Sequence, residues 1–342
     1  MLDIIAIAPI YIFFYLYSKN KIALFYTTFS LLFYFLVMLF YFHLGKYGGE
    51  FSVTFPDEST YINGTSSLTF SFFVNYLFDT VSATAFRLMN LCAYNFSIIY
   101  ILNRTTKINI FNFLVIILLA VGNYWCFFIL KESLTVLGLV LVLFYLKEKR
   151  KSLLFLGIII LTIARPDILA ILSASSILYV LYKKSKWKAC IALLFSFIGV
   201  LVFFSFPISQ PIKLSFISRR LEDVYKTYDP LTVSVSQLTG LDFFLSPVYH
   251  ETIYINATRA FSYFSNSIGL ATLLITINLT GLFVFIRTLR KEAYQRLNLF
   301  FLLSNVALIA SHNNYRYANA VIIPYLLIYI LERENESINN ES

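Results

Sequence analysis

The sequence predicts an all-α, polytopic membrane protein with about eleven transmembrane helices and extracytoplasmic loops that form a cap. Of its 342 residues, 59% are hydrophobic and only 13% are charged, and the mean hydropathy is +0.74. A membrane-spanning helix needs about 17–25 predominantly apolar residues, so the roughly 200 apolar residues suffice for about ten or eleven spans. This composition excludes a soluble globular enzyme, a disordered chain and a nucleic-acid-binding domain.

Eleven apolar runs are the predicted spans, and helix is the expected state because a spanning segment must satisfy its own backbone polar groups. In chain order these runs cover 2–17, 22–44, 84–103, 108–129, 133–146, 152–164, 168–182, 189–206, 268–286, 297–310 and 319–331. A further apolar piece at 68–78 is too short to span and predicts an interfacial or re-entrant helix.

The charges divide unevenly between the two sides of the predicted membrane. One set of alternate junctions carries a net charge of +11 and the other carries −2. The positive set lies around 18–21, 104–107, 147–151, 183–188, 287–296 and 332–342. Because cytoplasmic loops collect Lys and Arg, that side is predicted to be cytoplasmic, with the N-terminus outside and the C-terminus inside. The overall charge of +9 therefore indicates topology and not a nucleic-acid partner.

The whole chain, 1–342, is predicted to form a single integral membrane domain with two long outer segments and a cytoplasmic tail at 332–342. The first outer segment, 45–83, contains an acidic motif. The second, 207–267, has four prolines and equal numbers of acidic and basic residues. It is too aromatic for disorder, which favours a folded cap over the membrane face.

The outer ends of the predicted helices hold charges that orientation does not require. A charge near hydrocarbon costs up to about 2.5–3.5 kcal/mol on insertion scales, so such residues are functional candidates by default. In chain order the five groups are Asp57 and Glu58; Arg87 with Asn90; Lys131 and Glu132; Arg165 with Asp167; and His312, Tyr315 and Arg316. By the predicted topology, all five face the same side of the membrane.

These residue types suit glycosyl transfer from a lipid carrier. The adjacent carboxylates of Asp57 and Glu58 suit general-base work on a hydroxyl or binding of a divalent cation. Converging Arg and Lys side chains suit a diphosphate, and aromatic residues of the cap suit stacking against sugar rings. No metal-ligand spacing, glycine-rich phosphate loop or nucleophile elbow occurs in the sequence, so no cofactor is predicted; a divalent cation is left open.

Each group also has a purely structural interpretation that the sequence leaves open. In order, these are a solvated turn at Asp57 and Glu58, snorkelling of Arg87, an ion pair of Lys131 with Glu132 closing a helical hairpin, pairing of Arg165 with Asp167, and snorkelling of Arg316.

Four short motifs and the layout of the chain resemble those of a known family. The motifs are Gly48-Gly49-Glu50 through Asp57-Glu58-Ser59-Thr60-Tyr61, then Lys131-Glu132, Arg165-Pro166 and Tyr315-Arg316-Tyr317. Together they resemble the bacterial polysaccharide repeat-unit polymerases of the O-antigen polymerase (Wzy) type, in particular the EpsG-like branch. The acidic loop motif is also similar to that of the GT-C class of polyprenyl-dependent membrane glycosyltransferases, where it usually follows the first span and not the second.

The resemblance implies a GT-C-like fold in the cytoplasmic (inner) membrane. It implies polymerisation of undecaprenyl-diphosphate-linked oligosaccharide units at the outer face, with the lipid bilayer and a chain-length regulator as partners and no nucleic acid. From the residues and the resemblance together, we predict Asp57 and Glu58 as the catalytic residues on the acceptor side. The residues predicted to bind the diphosphate and the rest of the substrate are Arg87, Lys131, Glu132, Arg165, His312, Tyr315 and Arg316.

Two other functions fit the same residues. One is a single-sugar transferase that uses a polyprenyl-phosphate donor, and the other is a transporter or flippase of lipid-linked oligosaccharide. A transporter would need a basic cavity in the bilayer interior and usually an internal repeat, whereas here the unusual charges lie at one predicted face.

Overall fold

The structure, a computed structural model, describes residues 2–37, 61, 69–78, 83–105, 109–128, 130–188, 191–192, 268–311 and 315–341. The chain divides into two compact units. The first comprises Met1–Leu169, Arg259–Val284 and Asn319–Ser342, and the second comprises Ala170–Thr258 and Phe285–Ala318. The prediction that the whole chain forms a single membrane domain stays a prediction.

The described residues are all-helical, which confirms the all-α prediction. The α-helices are α1 Leu2–Tyr17, α2 Lys21–Val37, α3 Thr69–Phe78, α4 Ala83–Leu102, α5 Ile110–Val121, α6 Glu132–Glu148, α7 Lys151–Ala164, α8 Pro166–Lys184, α9 Ile268–Thr288, α10 Gln295–Ser311 and α11 Tyr315–Glu341. Short 3-10 helices at Gly122–Phe127 and Glu292–Tyr294 follow α5 and precede α10. Ten of the eleven predicted apolar runs overlap these helices, the run at 22–44 being described only as far as residue 37, and the run at 189–206 lies almost wholly outside the described residues.

Three of these segments are long and apolar enough to cross a membrane by length and composition: Ala85–Leu102, Ile110–Phe127 and Pro166–Lys184. Six other apolar helices in the described part of the chain are shorter than a full span. The structure therefore supports a membrane protein, while the predicted count of eleven spans is not confirmed.

Local sequence signals set several helix ends. Asn109 caps α5, its side-chain oxygen accepting a hydrogen bond of 2.9 Å from the Asn112 backbone N–H. Lys149 ends α6 in the left-handed region, with φ 58°, and its N–H donates to the Tyr145 carbonyl. Pro166 opens α8 at the first helical position, where a missing N–H is tolerated.

Helices α6 and α7 form a hairpin in which two glycines allow a close approach. A Cβ atom on Gly157 would lie 2.6 Å from Val142 Cγ2 and 2.9 Å from the Gly138 carbonyl oxygen. Small residues at such positions let helix backbones pack closely in an apolar environment. Because α7 runs antiparallel to α6 in this hairpin, Arg165 at the end of α7 lies toward the first residues of α6.

The predicted cytoplasmic junctions of the first unit meet at one end of it. The Lys19 N–H donates to Asn103 Oδ1 at 2.7 Å, and the Asn20 side chain donates to backbone carbonyls of the same α4 terminus. Arg104, just after α4, forms an ion pair of 3.2 Å with Glu148 at the end of α6. We refer to this part of the unit, which gathers residues 18–21, 103–105 and 147–151, as the basic end.

A buried polar network ties α1, α2, α4 and the first 3-10 helix together. Asn95 accepts hydrogen bonds from the Tyr26 hydroxyl (2.8 Å) and the Ser30 hydroxyl (2.7 Å), and it donates to Asn123 Oδ1 (2.6 Å). Asn123 donates in turn to Ser30 Oγ at 2.8 Å, and the Tyr11 hydroxyl lies 2.9 Å from the same oxygen. Each member is at most 2% exposed, so the network replaces hydration with protein partners.

The second unit contains α8 from Ala170 onward, the last residues of α9, and α10. The Phe285 and Phe301 rings stack with centroids 5.2 Å apart, and the Thr288 hydroxyl donates to Asn298 Oδ1 at 3.1 Å. These contacts fix the end of α9 against α10.

Candidate functional site

Four of the residues that the sequence selected are buried charges in the first unit. Arg87 is 3% exposed, Lys131 6%, Glu132 2% and Arg165 4%. A buried charge is costly unless it is paired and hydrogen-bonded, so a group of them needs a physical explanation.

Asn90 holds the segment before Lys131 against α4. It lies one turn after Arg87, as the sequence predicted, and is 1% exposed. Its Nδ2 atom donates to the carbonyl oxygens of Phe128 (2.8 Å) and Leu130 (3.1 Å). These carbonyls belong to the short connection between the 3-10 helix and α6, so the Asn90 side chain fixes the position of the backbone just before Lys131.

A second contact fixes the same connection from the other side. The Cys126 thiol donates to the Asn90 carbonyl oxygen at 3.6 Å and lies 3.5 Å from Ser133 Oγ. Ser133 is in the first turn of α6, next to Glu132. The start of α6 is therefore held against α4 through both a backbone and a side-chain partner.

Glu132 occupies the first turn of α6, with Lys131 as the residue that precedes the helix. A carboxylate in this position interacts favourably with the partial positive charge of the helix N-terminus. Its oxygens are fully buried, so this charge is part of the interior and not a solvated surface group.

Arg165 forms a bidentate ion pair with Asp167 across the turn between α7 and α8. Arg165 Nε donates to both carboxylate oxygens, at 2.9 and 3.1 Å, and Nη2 donates to Oδ2 at 2.6 Å. The positive charge of Lys131 also acts on this carboxylate. The pairing that the sequence left open as a structural alternative is thus present, and Arg165, Asp167 and Lys131 belong to one cluster.

The cluster lies at the end of the first unit opposite the basic end. Helices α4 and α6 run parallel, because Asn90 contacts the residues before α6 while Arg104 pairs with Glu148 at its end. The 14 residues from Asn90 to Arg104 correspond to roughly 21 Å along a helix. Since α7 returns antiparallel to α6, Arg165 comes back to the end where Lys131 lies. We refer to Arg87, Lys131, Glu132, Arg165 and Asp167 as the buried charge cluster.

The buried charge cluster contains three basic and two acidic side chains, a net charge of +1 when all are ionised. Asp167 has 20% of its side chain exposed against 5% for Arg165, so it is the member of this pair that reaches the surface. Within the described ranges, no three His, Cys, Asp or Glu side chains come together as a metal-binding group.

The other predicted site residues fall outside this description. Asp57, Glu58 and His312 lie outside the described residues. Tyr315 and Arg316 begin α11, and their side chains also lie outside the described part. The roles assigned to these five residues stay predictions.

Two polar contacts of the site were not anticipated from the sequence. Cys126 was not among the predicted site residues, yet its thiol contacts Asn90 of α4 and Ser133 of α6. Asn90 was predicted as a candidate together with Arg87, but the sequence did not indicate that its amide binds backbone carbonyls. A polar residue close to a very short connection between two helices is the sequence feature that could have indicated both contacts.

No protein-family model, curated protein or solved structure matches this chain. The functional assignment therefore depends on the geometry of the buried charge cluster and on the sequence.

Proposed function

We propose that the chain is a membrane glycosyltransferase that polymerises undecaprenyl-diphosphate-linked oligosaccharide repeat units at the outer face of the cytoplasmic membrane. The observation that supports this most is the burial of Arg87, Lys131 and Arg165 at one end of the first unit. Ionisable residues inside membrane proteins are rare, and they are functional-site candidates by default. A diphosphate presents the charge and the acceptor oxygens that Arg and Lys side chains bind.

The proposal includes a polytopic, GT-C-like arrangement of about eleven spans, with the N-terminus outside and the C-terminus in the cytoplasm. The positive-inside rule supports this orientation. The separation of the buried charge cluster from the basic end of the first unit agrees with it. The outer segments 45–83 and 207–267 would form the cap.

In the proposed reaction, the acceptor hydroxyl oxygen attacks the anomeric carbon of the donor sugar and forms the new glycosidic bond. The bond between that carbon and the diphosphate oxygen breaks, and its electron pair leaves with the polyprenyl diphosphate. The hydroxyl proton passes to a carboxylate, for which Asp57 and Glu58 are the candidates. Arg87, Lys131 and Arg165 would stabilise the charge that develops on the leaving diphosphate.

Within this scheme, Asp167 positions Arg165. The bidentate pair holds the guanidinium plane in one orientation, and preorganised charge stabilises a transition state better than charge that must first reorient. Because Asp167 is the more exposed member of the pair, the substrate would approach the cluster from the side of Asp167.

The decisive variant removes the whole ion pair: Arg165→Gln with Asp167→Asn. This leaves no unpaired carboxylate behind, so the fold is spared the cost of a buried lone charge. The matched control is Arg104→Gln with Glu148→Gln, which removes the ion pair between these residues at the basic end and the contact of Glu148 with Arg150. The measurement is the length distribution of glycan made by purified protein from undecaprenyl-diphosphate-linked units, with thermal melting to confirm folding.

We expect the Arg165/Asp167 double variant to be slowed about 10²–10³-fold, the effect of losing one donor to developing charge, and to leave single units. The Arg104/Glu148 double variant should make normal polymer. Normal polymer from both would show that Arg165 serves only its ion pair and would refute the proposed site. Addition of one sugar without elongation would identify a single-sugar transferase, and movement of the lipid-linked unit across vesicles without a change in length would identify a transporter.

A further inference from the structure

The second unit contains an open apolar groove of about 270 Å³ between the C-terminal half of α8, the end of α9 and the start of α10. Its walls are mainly aliphatic and aromatic, including Leu178, Tyr182, Leu289 and Leu302. Leu289 is 50% exposed and Leu302 46%. The groove therefore opens outward and is not a closed internal void.

Arg296 places a positive charge beside this groove. Its Nη2 atom donates to Ser176 Oγ at 3.1 Å, and its guanidinium carbon lies 5.9 Å from the centre of the Tyr179 ring, which lines the groove. Its Nε–H is buried and has no hydrogen-bond partner in the described part of the chain. A half-buried guanidinium with an unused donor is a ready partner for an anionic oxygen.

Gln295, which lines the groove, has a second unsatisfied polar atom. Its Oε1 is buried and accepts no hydrogen bond from any residue that the structure describes. A carboxamide accepts through oxygen and donates through nitrogen. Next to Arg296, it can bind both a phosphate oxygen and a hydroxyl of the same ligand.

Glu292, an acidic residue at this end of the described part of the unit, does not oppose an anion. Glu292 forms an ion pair with Lys183. The hydrogen bond from Lys183, together with its charge, lowers the pKa of the Glu292 carboxyl, so this carboxylate stays ionised and neutralised by its partner. The exposed cations Lys184, Arg287 and Lys291 on the same three helix ends then add to the charge of Arg296.

The end of α8 and the residues that follow it are typical of a membrane–water interface. Trp187 is 73% exposed and stands between Lys186 and Lys188, one turn after Tyr182 and Lys183. Trp and Tyr concentrate at head-group level, and basic pockets between helices on the cytoplasmic side bind anionic head groups.

From the groove, the guanidinium and the interfacial residues, we infer that this unit binds an anionic phospholipid of the cytoplasmic leaflet. One acyl chain lies in the apolar groove, the phosphate contacts Arg296 and Gln295, and the exposed lysines and arginines surround the head group. The site does not depend on the proposed glycosyl transfer, because it lies in the other unit and involves none of the buried charge cluster.

The test is lipid binding to the full-length purified protein, measured by native mass spectrometry with phosphatidylglycerol and phosphatidylcholine. Arg296→Gln should weaken phosphatidylglycerol binding about five-fold, the effect of one basic residue near an anionic head group, and leave phosphatidylcholine unchanged. Leu302→Trp, which fills the groove and keeps every charge, should weaken both lipids. Lys151→Gln, an exposed basic residue of the first unit, is the control and should bind as the parent protein does.

Equal affinity for the two lipids, or parental binding by either groove variant while its melting temperature is unchanged, would overturn the assignment. A variant that melts early is replaced by Leu289→Phe, which narrows the groove from an exposed position. Displacement of phosphatidylglycerol by an equal concentration of a polyprenyl diphosphate would also overturn it, since the groove would then belong to the lipid carrier.

Discussion

Asn95→Ala tests how strongly the buried polar network stabilises the first unit. Asn95 makes three hydrogen bonds to other elements, with Tyr26, Ser30 and Asn123. Interhelical hydrogen bonds in a membrane protein average about 0.6 kcal/mol and reach about 1.7 kcal/mol. Loss of all three should therefore lower the free energy of unfolding by roughly 2–5 kcal/mol, with α1 and α2 released from α4.

The matched control is Ser97→Ala, two residues further along the same helix. Ser97 is also fully buried, but its hydroxyl donates only to the Ala93 carbonyl of its own helix. We expect a loss of about 0.5 kcal/mol, the lower end of the range for one hydrogen bond. Reversible unfolding in mixed micelles, followed by circular dichroism, measures both variants. Equal losses for Asn95→Ala and Ser97→Ala would refute the view that the network joins helices.

Two further predictions concern packing and orientation. Gly157→Ala should lower the free energy of unfolding by about 1–3 kcal/mol, as overpacking does, because the new Cβ would meet Val142 and the Gly138 carbonyl. An unchanged melting curve would mean that α6 and α7 do not approach so closely. In a cysteine-free background, an impermeant maleimide on intact cells should label Ser59→Cys and not Lys149→Cys, and the reverse pattern would invert the proposed orientation.

Hydropathy was sufficient to place most helices, because burial in an apolar environment depends mainly on side-chain composition. The run at 152–164 became α7, Lys151–Ala164, and the piece at 68–78 became α3, Thr69–Phe78. Hydropathy could not anticipate the change of helix type at Gly122. Nor could it anticipate that Gly122 has no room for a side chain, because a Cβ there would lie 1.9 Å from the Tyr94 hydroxyl oxygen of another helix.

The same distinction separates the parts of the site that were predicted from those that were not. Arg165 and Asp167 are two residues apart across a proline-containing turn, so their contact is local and could be anticipated as an alternative. The contact of Asn90 with Leu130 joins residues 40 positions apart and depends on how α4 and α6 are rotated against each other. Rotation of one apolar helix against another leaves little trace in composition.

A comparison of two ion pairs of the first unit, Arg104 with Glu148 and Arg165 with Asp167, supports the proposed role of the buried charge cluster. Arg104 and Glu148 keep 31% and 23% of their side chains exposed, and exposed pairs contribute about 0–1 kcal/mol. Arg165 keeps only 5% of its side chain exposed. A buried ion pair often stabilises a protein no more than well-packed apolar residues of the same volume, because the cost of desolvation offsets the attraction between the charges. Stability alone therefore gives no reason to bury Arg87 and Lys131 at the same end as Arg165. The proposed substrate site would give such a reason, since an anionic substrate would add negative charge to a described cluster of three basic and two acidic side chains.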